Sequence, residues 1–206
     1  MADPRPPLRR TQAERRAATR AALVRATVES LVELGYARTT TQEVQRRAGV
    51  SRGALTHHFT SKAELVLAAV DHLYEEFSAS VRQAAVDLPG DSAVRVRLGV
   101  ELIWERFHGP LFVAAMELWT AARTDPELRA ALLPHERRLG AQLRRLAFEV
   151  FGEEVARHPA AEAMYQVLLT SMRGQALTYA LQPDAPRDRH LQHWLTIIEA
   201  LTRPTA

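Results

Sequence analysis

The residues best suited to chemistry lie in one segment, 39–65, that is rich in hydroxyls, small side chains and positive charge. Arg52 lies in the predicted first turn of a short helix, where a guanidinium can form two hydrogen bonds with the edge of a guanine base. Thr40 and Thr41 begin an earlier helix, whose hydroxyls and free backbone N–H groups can bind a phosphate. This is the chemistry of DNA contact, and the candidate residues are Thr40, Thr41, Gln42, Arg52, Gly53, Ala54, Thr56, His57 and Lys62, with Arg46 as a secondary one.

Two short helices joined by a tight turn must position these side chains. Thr40 and Glu43 have the spacing of a capping box, in which the hydroxyl accepts from the Glu43 N–H and the carboxylate reaches back. Gly49 lies where a left-handed residue ends a helix at little cost, and Ser51 can cap the next helix, to about residue 58. The spacing predicts a helix-turn-helix, whose second helix enters the major groove of DNA. The same capping pair recurs at Ser61 and Glu64.

Several of these residues also have an ordinary structural explanation. Thr40 and Ser61 are needed as helix caps even without DNA, whereas Arg52 has no evident structural role. His58 is better explained as a packed, hydrogen-bonded histidine than as a residue that contacts bases. The apolar residues of the segment are expected in the core, namely Val44, Val50, Leu55 and Phe59.

Charge is divided unevenly along the chain. Residues 1–62 carry 12 Lys+Arg and 5 Asp+Glu, whereas residues 63–206 carry 15 and 19. The basic excess therefore coincides with the predicted helix-turn-helix, as phosphate binding requires. An arginine-rich N-terminus that is simply solvated would give the same count, so the charge alone leaves both interpretations open.

Residues 35–65 resemble the N-terminal signature of the TetR family of bacterial transcriptional regulators. The resemblance implies a homodimer that binds a near-palindromic operator in double-stranded DNA, and a C-terminal domain that binds a small-molecule effector. In the family an aromatic residue, usually tyrosine, commonly follows the leucine of the recognition helix and contacts a phosphate. Here Thr56 stands at that position with a shorter reach, and His57 beside it could substitute. The matching positions are Gly35-Tyr36, Thr40-Thr41, Val44, Ala48-Gly49-Val50-Ser51, Gly53, Leu55, His58-Phe59 and Ser61-Lys62.

The pattern of apolar residues and helix breakers predicts an all-α fold of about nine helices, since no segment alternates with period two for long enough to form a strand. We expect a flexible basic arm at 1–10, a three-helix helix-turn-helix DNA-binding domain at 11–60, and a larger ligand-sensing and dimerisation domain at 61–206. Gly35 should stop the first helix, and Pro134 predicts a kink or a split near Leu133 in the seventh. The expected helices are 12–34, 41–48, 52–58, 62–86, 92–107, 111–123, 126–151, 159–181 and 187–202.

Aromatic residues concentrate in the middle helices. An apolar wall with a few polar groups is typical of a small-molecule site, and the family resemblance implies one in this region. An ordinary aromatic core would explain any single residue equally well. The Gly109-Pro110 break could let the sixth helix shift and move the fourth, respacing the DNA-binding heads. The candidate ligand-binding residues are Trp104, Phe107, His108, Phe112, Met116, Trp119, Tyr165 and Arg173, with Arg123 as a further polar contact.

The last two helices carry apolar stripes at spacings of three and four. Periodicity alone leaves open whether these stripes pair with a second copy as a four-helix bundle or pack on the chain's own core. The resemblance favours the dimer, and Gly174 would allow a close helix approach. The candidate interface residues are Leu168, Met172, Gln175, Ala176, Leu191, Trp194, Leu195 and Ile198.

Other classes of function lack support in the sequence. Without cysteine there is no thiolate nucleophile, disulfide or zinc–thiolate site, and no glycine-rich phosphate loop or nucleophile elbow is present. His190 and His193 lie three residues apart without an evident third ligand, so we expect no metal and no cofactor. No apolar segment resembles a signal peptide or a membrane span, which favours a cytoplasmic location. We therefore expect a ligand-responsive homodimeric repressor and not an enzyme, with an activator or a ligand-independent DNA-binding regulator as the alternative.

Overall fold

The computed structural model describes residues 11–90, 92–181 and 190–202. Within these ranges the backbone forms ten α-helices and no β-strand, in agreement with the predicted all-α class. The predicted basic arm at 1–10 and the predicted start of the last helix at Arg187 lie outside the described residues. The helices are α1 (Gln12–Arg38), α2 (Thr41–Ala48), α3 (Arg52–His58), α4 (Lys62–Ala85), α5 (Ser92–Arg106), α6 (Pro110–Ala122), α7 (Pro126–Phe151), α8 (Glu153–Arg157), α9 (Ala161–Leu181) and α10 (Leu191–Thr202).

Helix α1 begins where the sequence predicts, because Thr11 and Glu14 form a complete capping box ahead of it. It does not stop at Gly35, however. Helical residues continue to Arg38 beyond a break at which Gly35 adopts φ 77° and ψ 172°. Glycine adopts this backbone conformation without the steric strain of a side chain, so Gly35 divides the helix and does not end it.

Helices α2 and α3 form the predicted helix-turn-helix. The Thr40 side chain accepts from the Glu43 N–H at 3.1 Å, and Gly49 ends α2 with a left-handed φ of 66°. The predicted return contact from Glu43 is replaced by another one. The Glu43 carboxylate accepts hydrogen bonds from the guanidinium groups of Arg46 and Arg47.

Helix α4 connects the helix-turn-helix to the rest of the molecule. Ser61 caps it by accepting from the Glu64 N–H at 3.1 Å, while the Glu64 carboxylate accepts from the N–H and hydroxyl of Thr60. Leu65 packs with the core of the helix-turn-helix, and Val66 packs with the next cluster along the molecule. One helix therefore belongs to both parts of the core.

Three buried clusters hold the helices together. The helix-turn-helix packs against α1 around Leu55 and Phe59. A second cluster joins α1, α4, α6 and α7 around Leu118. A third joins α4, α5, α7, α9 and α10 around Phe151 and Trp194. The clusters follow one another along α4 and α7, from the helix-turn-helix to the last two helices.

Two parts of the C-terminal half differ from the prediction. Helix α7 is not split, although Pro134 lies inside it. Pro134 is exposed, so its ring disturbs no core contact and the missing N–H is lost from the solvent side of the helix. Gly152, with φ 92°, ends α7 and is followed by the short helix α8, which brings the described helices to ten in place of the expected nine. None of the described helices combines the length and the apolar character needed to cross a bilayer.

Candidate nucleic-acid interface and internal cavity

Helix α3 presents its polar residues on one side and its apolar anchor on the other. Leu55 is 3% exposed and fixes the helix on α1, while Ser51 caps it by accepting from the Ala54 N–H at 3.2 Å. The Arg52 side chain is exposed, and among the described residues no ion pair holds its guanidinium. The predicted DNA-contacting residues of this helix therefore lie together at the surface, namely Arg52, Gly53, Ala54, Thr56 and His57.

The start of helix α2 carries the predicted phosphate-binding residues. Thr40 and Gln42 are exposed and Thr41 is half-buried. The Thr40 oxygen accepts from the Glu43 N–H, which leaves the hydroxyl hydrogen available to donate. The hydrogen bonds from Arg46, at 2.6 and 2.9 Å, are the largest cause that lowers the pKa of Glu43 to about 2. The Arg46 guanidinium is thus paired with Glu43, which makes Arg46 a weaker candidate for DNA contact than Arg52.

Thr56 occupies the position at which the family commonly carries an aromatic residue. Its hydroxyl lies 3.2 Å from the carbonyl oxygens of Arg52 and of Gly53, to which it donates within its own helix. The neighbouring His57 ring is exposed and packs edge-on against His58 with ring centroids 5.5 Å apart. His57 is therefore better placed than Thr56 to contact a phosphate.

Lys62 has an internal partner that the sequence did not indicate. Its Nζ donates to the Tyr36 carbonyl at 2.8 Å and lies 3.7 Å from the centroid of the Tyr36 ring. Burial lowers the pKa of Lys62, against the nearby charge of Asp125. The ammonium thus binds the last turn of α1, beyond the break at Gly35, and this arrangement does not support the predicted phosphate contact.

The basic residues of α1 were not among the predicted DNA contacts. A groove between the start of α1 and helix α3 is lined by Arg15 and Arg16 on one side and by His57 and His58 on the other. Burial, followed by the charges of His57, Arg16 and Arg20, lowers the pKa of His58. The excess of arginine in residues 1–62 could have indicated these residues. On its own, that excess indicates the N-terminal region as a whole and does not single out Arg15 or Arg16.

A cavity of about 50 Å³, partly open to solvent, lies between helices α4, α5, α6, α7 and α9. Its walls are mostly apolar and aromatic, as the sequence predicts for a small-molecule site. Four of the eight predicted ligand-binding residues line it, namely Phe107, Phe112, Trp119 and Arg173. The other lining residues are Phe77, Arg106, Leu111, Ala115, Glu136, Leu139, Gly140, Leu143 and Leu169.

Two of the three charged residues that line this cavity, Arg173 and Glu136, lie close to Trp119. The Arg173 guanidinium carbon is 5.0 Å from the centroid of the Trp119 ring. Burial raises the pKa of Glu136, while a hydrogen bond from Trp119 and the charge of Arg173 oppose the rise. Sequence reasoning missed Glu136, although it recurs with Leu139 and Leu143 at helical spacing on α7.

The other predicted ligand-binding residues lie outside the lining of this cavity. Trp104 is 4% exposed and packs in the third cluster against the rings of His108, Tyr179 and Trp194, with centroids 4.2, 5.8 and 4.7 Å away. Tyr165 is 5% exposed in the same cluster. These positions follow the ordinary-core interpretation of the aromatic pattern. The same applies to Met116, which is half-buried away from the cavity lining. Arg123 lines a neighbouring groove that shares Trp119 and Glu136 with the cavity.

The predicted dimer-interface residues occupy the core of the chain itself. Six of them are at most 7% exposed and pack within the chain, and the interface of these residues with a second copy stays a prediction. The apolar stripes of α9 and α10 face each other and α5, and the Trp194 indole N–H donates to the Ser171 hydroxyl at 2.7 Å. The six are Leu168, Met172, Ala176, Trp194, Leu195 and Ile198, while Gln175 and Leu191 are half-buried.

Known proteins resemble both the sequence and the fold. The family of bacterial regulatory proteins described as the tetR family matches residues 23–69. The HTH-type transcriptional regulator CymR of Pseudomonas putida is 34% identical over 182 residues, which cover 88% of this chain and 89% of CymR. The crystal structure of FadR from Bacillus subtilis in complex with stearoyl-CoA has a TM-score of 0.68 at 13% identity, with 89% of this chain and 99% of FadR covered. A TetR transcription regulator from Haloarcula marismortui ATCC 43049 has a TM-score of 0.66 at 21% identity, with 90% and 96% covered.

The helix-turn-helix, the helical body and these similarities agree with one another. The structural neighbours share the fold, and the similarity to CymR extends over most of both chains, well beyond the DNA-binding head. This protein is a transcriptional regulator and belongs to the TetR family of bacterial regulatory proteins.

Proposed function

We propose that this protein is a homodimeric repressor that binds a near-palindromic operator through two copies of helix α3 and is released by a small apolar or aromatic effector. The observation that carries the proposal is the exposed polar face of α3, headed by Arg52, on a body that encloses an aromatic cavity. A regulator of this kind acts in the cytoplasm, where the DNA is.

The proposed DNA contacts follow from exposure and reach. Arg52 contacts a guanine edge, because its guanidinium has no ion-pair partner among the described residues and lies in the first turn of α3. Gly53 allows close approach, and Ala54 contacts a thymine methyl group. Thr40 and Thr41 hold a phosphate at the N-terminus of α2.

The proposed effector site is the cavity beneath helix α6. Its volume of about 50 Å³ is far below the roughly 300–1,000 Å³ of typical ligand pockets, so effector binding requires the surrounding helices to separate. Helix α6 is suited to move because it begins at Gly109-Pro110 without a side-chain cap. The stearoyl-CoA complex of FadR supports effector binding in general, since a protein of similar fold binds a small molecule. Aromatic walls with Arg173 and Glu136 favour an apolar or aromatic molecule that carries a polar group.

The proposed dimer interface is the outer surface of α9 and α10. Val167, Leu177 and Ile197 are 46%, 45% and 42% exposed on these helices. Gly174 is exposed as well, and a Cβ placed there meets no atom within 4 Å, so a helix of a second copy can approach it closely. A two-fold dimer then presents two α3 helices about 34–36 Å apart, or a multiple of that distance.

The experiment that tests the proposal is the selection of operators from a random-sequence duplex pool with the purified protein. We expect a near-palindromic sequence whose binding survives an increase in salt better than binding to scrambled DNA. Equal binding to both duplexes, abolished by salt, would reduce the interaction to phosphate attraction.

Two further assays determine whether the protein represses or activates transcription and which effector it binds. Deletion of the gene should raise transcription from promoters that contain the selected operator, and a fall would make the protein an activator. Compounds are then screened for release of the labelled operator.

A further inference from the structure

Helix α1 is broken at Gly35, and a side chain of α6 lies at the break. The Tyr36 N–H donates to Glu117 Oε2 at 2.7 Å. A Cβ on Gly35 would lie 2.6 Å from the same oxygen, so a side chain at residue 35 would collide with Glu117 as well as strain the backbone at φ 77°. The break at Gly35 therefore leaves room for the Glu117 carboxylate to reach the Tyr36 N–H.

Tyr36 joins this break to the start of α4. Its carbonyl accepts from Lys62 Nζ at 2.8 Å, while its N–H binds Glu117. Lys62 is the first residue of α4 and follows the recognition helix after three residues. The DNA-binding head (residues 11–60) is thus hydrogen-bonded to the body (residues 61–206) through the N–H and the carbonyl of one residue of α1, Tyr36.

Helix α6 places Glu117 on the side opposite the cavity. Ala115 and Trp119 line the cavity, and Glu117 lies two residues from each of them. At about 100° per residue, two residues correspond to roughly 200° around the helix. A displacement of α6 at the cavity therefore moves the Glu117 carboxylate on the far face.

We propose that Glu117 is a positioning residue that transmits occupancy of the cavity to the DNA-binding head through the break at Gly35. The inference rests on the proposed function, because it assumes that cavity occupancy weakens operator binding. With the cavity closed, Glu117 holds Tyr36 and fixes the angle between the head and the body. When α6 moves, Glu117 leaves the Tyr36 N–H, and the segment of α1 after Gly35 turns together with Lys62.

A filled cavity can be made without knowing the effector. Gly140 lines the cavity, and a Cβ placed there meets no atom within 4 Å. Gly140→Phe therefore adds a ring at the wall of the proposed effector site, and Gly140→Leu is the smaller version should the first one unfold. The operator affinity of each is measured in the wild-type protein, in Glu117→Ala and in Glu117→Gln, with thermal unfolding as the control for folding. Thr120→Ala, an exposed change on the same helix, is the matched control.

We expect Gly140→Phe to weaken operator binding about tenfold or more in the wild-type protein and in Thr120→Ala. Glu117→Ala alone should weaken binding, and Gly140→Phe should add less than about threefold to it, since the contact that transmits the change is already absent. Glu117→Gln keeps an oxygen acceptor for the Tyr36 N–H and should restore the response. An equal effect of Gly140→Phe with and without Glu117 would overturn the inference while leaving the proposed function intact. No effect of either cavity-filling variant in the wild-type protein would overturn both.

Discussion

The guanidinium of Arg173 lies over the ring of Trp119, 5.0 Å from its centroid, and both side chains line the cavity together with Glu136. The pair couples α9 to α6 through a cation–π contact at an apolar surface. Glu136 on α7 is the acidic member of this group. Burial raises the pKa of Glu136, although the hydrogen bond from Trp119 and the charge of Arg173 lower it. The ionised carboxylate therefore destabilises the folded protein.

Glu136→Gln should raise the free energy of unfolding near neutral pH. The pKa of Glu136 is higher in the folded protein than the 4.5 of an ordinary glutamate, so the stability associated with its protonated form is complete below about 4.5 and is lost as pH rises. Thermal unfolding at about pH 8 and about pH 4 should show a stabilisation that fades in acid. Glu29→Gln, at an exposed side chain of α1, is the control. A gain of equal size at both pH values would refute the assignment.

Arg52→Ala should weaken operator binding by about 1–3 kcal/mol and relax the preference at one base position. In the proposed complex the guanidinium forms two hydrogen bonds with one base, and the substitution removes both. Affinities for operators with single base changes give both quantities. Arg157→Ala, which removes an exposed arginine from α8, controls for net charge. A uniform loss across all operators would make Arg52 a phosphate contact.

Lys62→Met should lower stability by about 1–2 kcal/mol through loss of the hydrogen bond to Tyr36 and of the cation–π contact. The dependence of operator binding on salt should keep its slope, because the ammonium is directed at Tyr36 and not at DNA. Urea unfolding and binding at several salt concentrations measure the two effects. A salt-dependence slope smaller by about one unit would show instead that Lys62 contacts a phosphate.

The double substitution Leu177→Arg with Ile197→Arg should convert a dimer into a monomer and weaken operator binding. Both side chains are about half exposed on the proposed interface, and burying two guanidinium groups there is unfavourable. Light scattering on a sizing column measures the mass. Val86→Arg, at an apolar residue that is 74% exposed elsewhere, should have no effect. An unchanged mass in the double variant would place the interface on another surface.

The sequence predicted the helix-turn-helix well because its signals are local. Thr40, Ser51 and Ser61 cap the expected helices, and Gly49 takes the expected left-handed conformation. Each of these features depends on residues three or four positions apart. The predicted hydrogen bonds from the N-cap N–H groups to the Glu43 and Glu64 carboxylates did not form. Nearby donors, Arg47 and Thr60, bind these carboxylates instead.

The cavity and the dimer surface were less predictable because they depend on how distant helices meet. A stripe such as Leu168, Met172 and Trp194 shows which face is apolar, but it does not say whether α5 or a second copy covers that face. Likewise, Trp104 and Trp119 are alike in sequence terms, yet one lies in the core and the other on the cavity wall. Lys62 was assigned to DNA because its partner Tyr36 is distant in sequence, 26 residues earlier.

Lys62 is the only lysine of the chain, and its amine lies at the joint between the head and the body. An amine-selective reagent therefore modifies, apart from the α-amino group, a single side chain, and the rate at which it does so depends on whether Tyr36 covers that amine. Chemical labelling of the unaltered protein can thus follow the opening of this joint with no engineered probe.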